Sequence, residues 1–307
     1  MAFLYALPGA VAEGLIWGLM AIGVYISYKI LDIADLTVDG SICTGACVCA
    51  VLLAKGVSPL MCLFAALIAG AITGVVTGLL HTVLGIPSIL AGILTQLMLY
   101  SVNLLILSGK SLMPVDPRAN KLIVHMSDNP HAIVSLVIIV AAAIVSLWLF
   151  FYTEVGLTIK STGDNPDMSR AQGVDVERNK VLGLAIANAI VAMAGALLAQ
   201  YKGSANINDG RGAIVIALAA IFIGLSVSLK IKPNFVVSMI GVVCGGIVYY
   251  IVYNFVILMG LKTDYLKMFS ALIVALFLGL PYLKAKYFTK KKDIHLKNGV
   301  RGGNGNA

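Results

Sequence analysis

Residues 156–180 read GLTIKSTGDNPDMSRAQGVDVERNK, an island of charge in a chain that is apolar almost from end to end. Asn165 and Pro166 form an N-cap followed by proline at the first helical position. Asp167 lies in the first turn, Arg170 lies near the end, and Gly173 supplies a C-terminal stop. These signals predict a short, self-capped helix of about seven residues outside the bilayer. A polar loop of this length with a helix of its own does more than connect two spans, and the expectation is a contact with another protein.

The surroundings decide what kind of loop this is. The chain is 60% hydrophobic and only 12% charged, with a mean hydropathy of +0.96, whereas soluble domains carry about 25% charged residues. The apolar residues come in blocks of about twenty, the length with which an α-helix crosses about 30 Å of hydrocarbon, and not as the alternating segments of an outer-membrane barrel. The fold class is an all-α membrane protein, a polytopic bundle of about nine transmembrane helices, with eight to ten as the range. The expected spans are 8–30, 36–54, 58–84, 88–108, 131–152, 180–201, 212–229, 233–259 and 265–283. Residues 1–283 form the transmembrane domain, with the polar loop at about 153–180, and 284–307 form a basic tail read as disordered. No Lys or Arg precedes Lys29, so the first span is expected to be retained and not cleaved as a signal peptide.

Lys and Arg set the orientation. The tail holds seven of them, Lys284, Lys286, Lys290, Lys291, Lys292, Lys297 and Arg301, against Asp293, so it carries +6 of the formal +8 and is expected to be cytoplasmic. Counting back through nine spans puts Lys29, Lys230, Lys232 and the island on that side too. The amino terminus falls outside with Lys110, Arg118 and Lys121, a mild violation softened by Asp116 and Asp128. Lysines directly after a last span act as a topology determinant that touches anionic lipid, so no nucleic-acid partner is expected.

Little in the chain could serve an enzyme. The SGKS at residues 108–111 lacks the glycine a phosphate loop needs, since position 104 is Leu. The four histidines are scattered, no metal spacing is present, and the island has no Ser, His and Asp arrangement. Cys43, Cys47, Cys49, Cys62 and Cys244 fall inside apolar spans and read as small packing residues. No catalytic residue, metal site or cofactor is expected in this chain. Gly70, Gly74 and Gly78 repeat every four residues and form a ridge on which a neighbouring helix can approach closely, a spacing repeated by Gly14 with Gly18 and Gly241 with Gly245. Polar groups at membrane depth, notably Glu13, Gln96, Asn103, Asn188 and Asn254, either satisfy one another or face water, and together they suggest a polar path.

The island resembles the cytoplasmic coupling loop of permease subunits of ATP-binding-cassette importers in the branched-chain amino acid and simple-sugar group. The match lies in Gly156, Gly163, Asn165, Pro166, Gly173, Val176 and Lys180; Ser161 and Ser169 replace a usual Ala, and Val174 a usual Ile. ILDIADLTVDGS at 30–41 and NDGRGAIVIALAAIFIG at 208–224 look like a subgroup that is uncharacterised or linked to tryptophan-type amino acid import. The resemblance implies a type II importer permease without enzymatic activity of its own. It further implies a separate ATPase subunit, in two copies, which carries ATP and Mg. A substrate-binding protein outside, a second permease copy in a homodimer, and the bacterial cytoplasmic membrane as location also follow from it. It places the ATPase contact on Gly163, Asp164, Asn165, Pro166, Asp167, Arg170 and Gly173.

For the path, LTVDGS puts Thr37, Asp39 and Ser41 at a Gly-weakened start of the second span, joined by Gln96, Asn103 and Asn188. The competing reading has Asp39 as the N-cap of that span. Turn-rich KGSANINDGRG at 202–212 would form the docking or gate segment, with Asn206, Asn208, Asp209 and Arg211. The substrate expected is a small amphipathic solute, with an amino acid, possibly an aromatic one, ahead of a sugar or nucleoside. The alternative is an ion-coupled secondary transporter or channel, which would have no use for the capped helix and more often pairs ionisable residues at the midplane.

Overall fold

The computed structural model describes residues 2–116, 122–126, 129–228 and 234–258, and isolated positions between 268 and 279. The bundle lies within Met1–Leu261, and Lys262–Ala307 form a second unit. Its elements in chain order are α1 (Ala2–Tyr25) with a π-helical turn (Ile26–Ile30), α2 (Val38–Ala54), α3 (Pro59–Thr82), α4 (Ser88–Ile106), β1 (Leu112–Pro114) and α5 (Asn129–Phe151). The chain continues through α6 (Glu154–Asp164), α7 (Pro166–Ala171), α8 (Val176–Lys202), β2 (Ser204–Asn206), α9 (Ala213–Ser228) and α10 (Phe235–Leu258). Among the described residues, six helices are long and apolar enough to cross a membrane, and α2 and α9 are shorter apolar helices. These correspond to the first eight expected spans. The ninth, at 265–283, and the basic tail lie outside the described residues, as do Lys230, Lys232, Arg118, Lys121 and Asp128.

Of the six long spans among the described residues, α1 and α8 are the most buried. The glycine ridge explains the tight seat of α3 on α8. A Cβ on Gly70 would overlap the Asn188 carbonyl oxygen, one on Gly74 would overlap that of Leu184, and one on Gly78 would come within 2.8 Å of the Val181 Cα. Three successive turns of α3 therefore lie backbone to backbone on α8, the close packing that small residues permit where lipid offers no hydrophobic drive for helix pairing. Gly45 and Gly195 bring α2 onto the same helix, against Ala192 and Ile42 respectively. On α1, Gly14 and Gly18 receive Ile247 and Val243 of α10.

The two faces of the bundle are marked by different devices. On one, β1 and β2 pair antiparallel with Leu112 opposite Asn206 and Pro114 opposite Ser204, tying the α4–α5 connection to the end of α8. Gly203 ends α8 at φ +68°, a left-handed conformation that glycine takes at no steric cost. On the other face, Gly163 of α6 packs so closely on Ile30 that a Cβ would overlap its carbonyl oxygen, which puts exposed Lys29 and the island on one side, as the Lys and Arg count requires.

Candidate functional site

Two regions carry the polar chemistry. The first is the island, which folds into three helical pieces where the sequence predicts one. Thr153 starts α6 by accepting from the Gly156 N–H at 3.3 Å. The Asn165 side chain caps α7 by accepting from the Met168 N–H at 3.0 Å, Pro166 follows in the first turn, and Gly173 turns the chain at φ +83°. Asp175 then caps α8 through the Arg178 N–H at 3.0 Å. The expected α7 is present at six residues. Helix α6 is an addition to the expected polar loop at about 153–180.

Arg170 binds α7 to the first turn of α8. Its guanidinium donates to Glu177 at 2.5 Å and stands 3.6 Å from Asp167. The Glu177 hydrogen bond raises Arg170 above its ordinary value, so the cationic end of the pair does not titrate. Further in, Asn179 Nδ2 donates to Thr162 Oγ1 at 3.1 Å and fastens α8 to α6. Gly163 completes the chain of contacts to Ile30 at the end of the first span. Asp164, Asn165, Asp167, Arg170 and Gly173 are exposed, as is Met168, an uncovered apolar side chain at 59% exposure.

The second region is the junction of two short helices. At 1.5 Å per residue, the 17 residues of α2 reach only about 25 Å, short of the hydrocarbon thickness, and the described part of α9 about as far. The chain after β2 does not stay at the surface. It turns inward along α2, where Cys43 Sγ donates to the Ile207 carbonyl at 3.3 Å and accepts from the Gly210 N–H at 3.1 Å. Asp39 receives its end, accepting from the Gly212 and Ile214 N–H groups at 2.9 Å each. Asp39 is therefore not the cap of its own helix. Thr37 precedes Val38, its N–H donates to Asp35 at 2.9 Å, and Asp39 in the first turn of α2 instead caps α9. Two helix N-termini, each with a partial positive charge, converge on one carboxylate.

Beside this junction lies a cavity of about 350 Å³ lined by Asp39, Gly40, Cys43, Gln96, Leu97, Tyr100, Asn103, Ile207 and Arg211. Arg211 sits over the Tyr100 ring at 5.8 Å, a cation–π distance. Asn103 is 1% exposed, and among the described residues its Oδ1 has no hydrogen-bond partner.

The structure thus brings Asp39, Gln96 and Asn103 together with Arg211. It does not bring Thr37, Ser41 and Asn188 there. Those three lie between α2, α3 and α8 in a buried network: Ser41 donates to Asn188 Oδ1 at 2.6 Å, Asn188 Nδ2 donates to Asp35 at 2.6 Å, and Thr37 and Thr77 hydroxyls meet at 2.7 Å. Asn206 and Asp209 are engaged locally, Asn206 Oδ1 with the Asn208 N–H and Asp209 with Lys202 at 3.8 Å, and Asn208 is exposed. Tyr100 and Asp35 were missed. Nothing local marks Tyr100, and Asp35 was passed over beside the more obvious Asp39-Gly40.

The model of one family, described as branched-chain amino acid transport system / permease component, matches residues 9–279. A tyrosine transport system permease protein of Clostridioides difficile (strain R20291) is 36% identical over 266 residues, 87% of this chain and 88% of its own. An uncharacterized protein, RP368, of Rickettsia prowazekii (strain Madrid E) is 33% identical over 90% of this chain and 96% of its own. A xylose transport system permease protein of Haemophilus influenzae is 31% identical over a shorter stretch, 37% of this chain and 29% of its own. No solved structure matches.

Proposed function

This chain belongs to the family of permease components of branched-chain amino acid transport systems, and on that premise we propose that it imports an aromatic amino acid of the tyrosine type. It is a membrane-spanning subunit of an ATP-binding-cassette importer for a small solute, and not an enzyme. The observation that carries the substrate is the 36% identity to a tyrosine permease over nearly the whole of both chains. Two copies of the chain line the path in a bacterial cytoplasmic membrane. Two ATPase subunits, which hold ATP and Mg, dock on the island face, and a binding protein delivers solute at the face with the β1–β2 pair. ATP-dependent uptake of L-tyrosine into vesicles containing the whole assembly tests this reading. Uptake of xylose with no uptake of any amino acid would contradict it.

Coupling runs through α7. The exposed Met168 and the polar rim around it form a projection that fits a groove on the ATPase. A push on α7 passes to α8 through Arg170–Glu177 and to α1 through α6 and Gly163, so α1 and α8 tilt together. Arg170→Glu sets two carboxylates against each other and is expected to reduce tyrosine-stimulated ATP hydrolysis to the basal rate while the bundle stays folded. Adding Glu177→Arg restores the pair and a large part of the stimulation. Stimulated hydrolysis at the wild-type rate in the single variant would show that the pair plays no part in coupling.

A further inference from the structure

We propose that the cavity between α2, α4 and the inward segment before α9 is a binding subsite for a zwitterionic α-amino acid with an aromatic side chain. The inference rests on the amino acid reading above and assigns the groups that recognise the solute in transit.

Its wall offers a guanidinium, a carboxylate and one acceptor in need of a donor. Arg211 makes no ion pair among the described residues and already faces the Tyr100 ring, so its guanidinium is available to a carboxylate. Asn103 Oδ1 is buried and unpartnered, which is costly for a polar atom unless a donor arrives from the cavity. An α-ammonium group supplies that donor, and its charge is complementary to Asp39 on the same wall. The amide hydrogens of Gly212 and Ile214 fix the Asp39 carboxylate in place on this wall. The Tyr100 ring and Leu97 form the apolar side, where an aromatic side chain stacks.

A neutral sugar could hydrogen-bond these groups but would neutralise neither the Arg211 guanidinium nor the Asp39 carboxylate. A simple anion would leave Asn103 unpaired and meet Asp39 as a like charge. A zwitterion satisfies all three groups, and a volume of about 350 Å³ falls in the range of small-molecule sites.

The test is equilibrium binding of radiolabelled L-tyrosine to the permease–ATPase assembly in lipid nanodiscs without the binding protein. Competitors are tyramine, which lacks the carboxylate, hydroxyphenylpropionate, which lacks the ammonium, and xylose. The expected result is that L-tyrosine binds, that each single-charge analogue competes about tenfold more weakly, and that xylose does not compete. Arg211→Gln should weaken L-tyrosine about tenfold and leave tyramine unchanged. Asn103→Leu should weaken L-tyrosine and tyramine but not hydroxyphenylpropionate. Wild-type affinities in both variants, or competition by xylose equal to that by tyrosine, would overturn the assignment. ATP-driven uptake by the full assembly separates the two levels. If the wild type imports tyrosine while the variants bind it normally, the cavity is not the subsite and the substrate reading stands; if no amino acid is imported, both fall.

Discussion

Gly74→Leu is expected to abolish assembly, leaving little or no folded transporter recoverable from the membrane. A single Cβ at this position already overlaps the Leu184 carbonyl oxygen and lies near the Ala185 Cα. The obstacle is helix backbone, which cannot rotate aside as a side chain would. Overpacking a well-filled core costs about 1–3 kcal/mol where the surroundings can shift, and more where they cannot. Here α3 would have to leave α8, which also strains the adjoining α2–α3 interface, where the Thr37–Thr77 and Ser41–Thr73 hydroxyl pairs meet at 2.7 Å each. Gly74→Ala should fall between leucine and wild type. Ile68→Leu, on the outward side of the same helix at 63% exposure, should have no effect. Detergent-extracted yield and elution profile measure all three, and a monodisperse, active Gly74→Leu protein would show that the helices are not held by close backbone approach.

The second large effect is expected at Asp39. Asp39→Ala removes the acceptor for two backbone amides at the start of α9; the exposed Gly212 N–H can turn to water, while the part-buried Ile214 N–H loses a charge-assisted bond, a cost of about 1–3 kcal/mol. The inward segment before α9 would lose its carboxylate anchor on α2 and be held there by the Cys43 hydrogen bonds at Ile207 and Gly210 and by the packing of Gly210 on Ile42. Transport is expected to be lost, with a lower thermal midpoint for the purified assembly. Asp39→Asn keeps one acceptor oxygen and should recover part of the stability. It should not recover full transport, because the charge facing the cavity is gone. If Asp39→Ala matched wild type in midpoint and uptake, the carboxylate could not be the joint between α2 and α9.

The two sites differ in how far they could be read from sequence, for a physical reason. The α7 cap is local: Asn165, Pro166 and Gly173 each act on backbone groups within a few residues, so their order specifies the helix before any tertiary contact forms. The glycine ridge is nearly as local, since a four-residue repeat marks one helix face, although only the structure names α8 as its partner. Asp39 is the contrasting case. A carboxylate next to Gly40 at a helix start suggests a cap for that helix, yet its partners are Gly212 and Ile214, residues far along the chain that only the inward course of 207–212 brings near. Arg211 was placed with a surface loop for the same reason. Helix α6 escaped because an amphipathic segment beside a span carries enough charge, with Glu154, Lys160 and Asp164, to pass for loop.

The most direct test of the central claim, that α7 couples this bundle to an ATPase, is a cross-link from a single cysteine. Met168→Cys is introduced on an otherwise cysteine-free chain, the transporter is treated in its native membrane with a short thiol-to-amine reagent, and the product is identified by mass spectrometry. The account predicts a product of about one permease plus one ATP-binding subunit, reduced when ATP analogues or Arg170→Glu change how α7 is seated. A chain that cross-links only to itself or to lipid, while remaining active in ATP-driven uptake, would contradict the assignment of α7 as the coupling element.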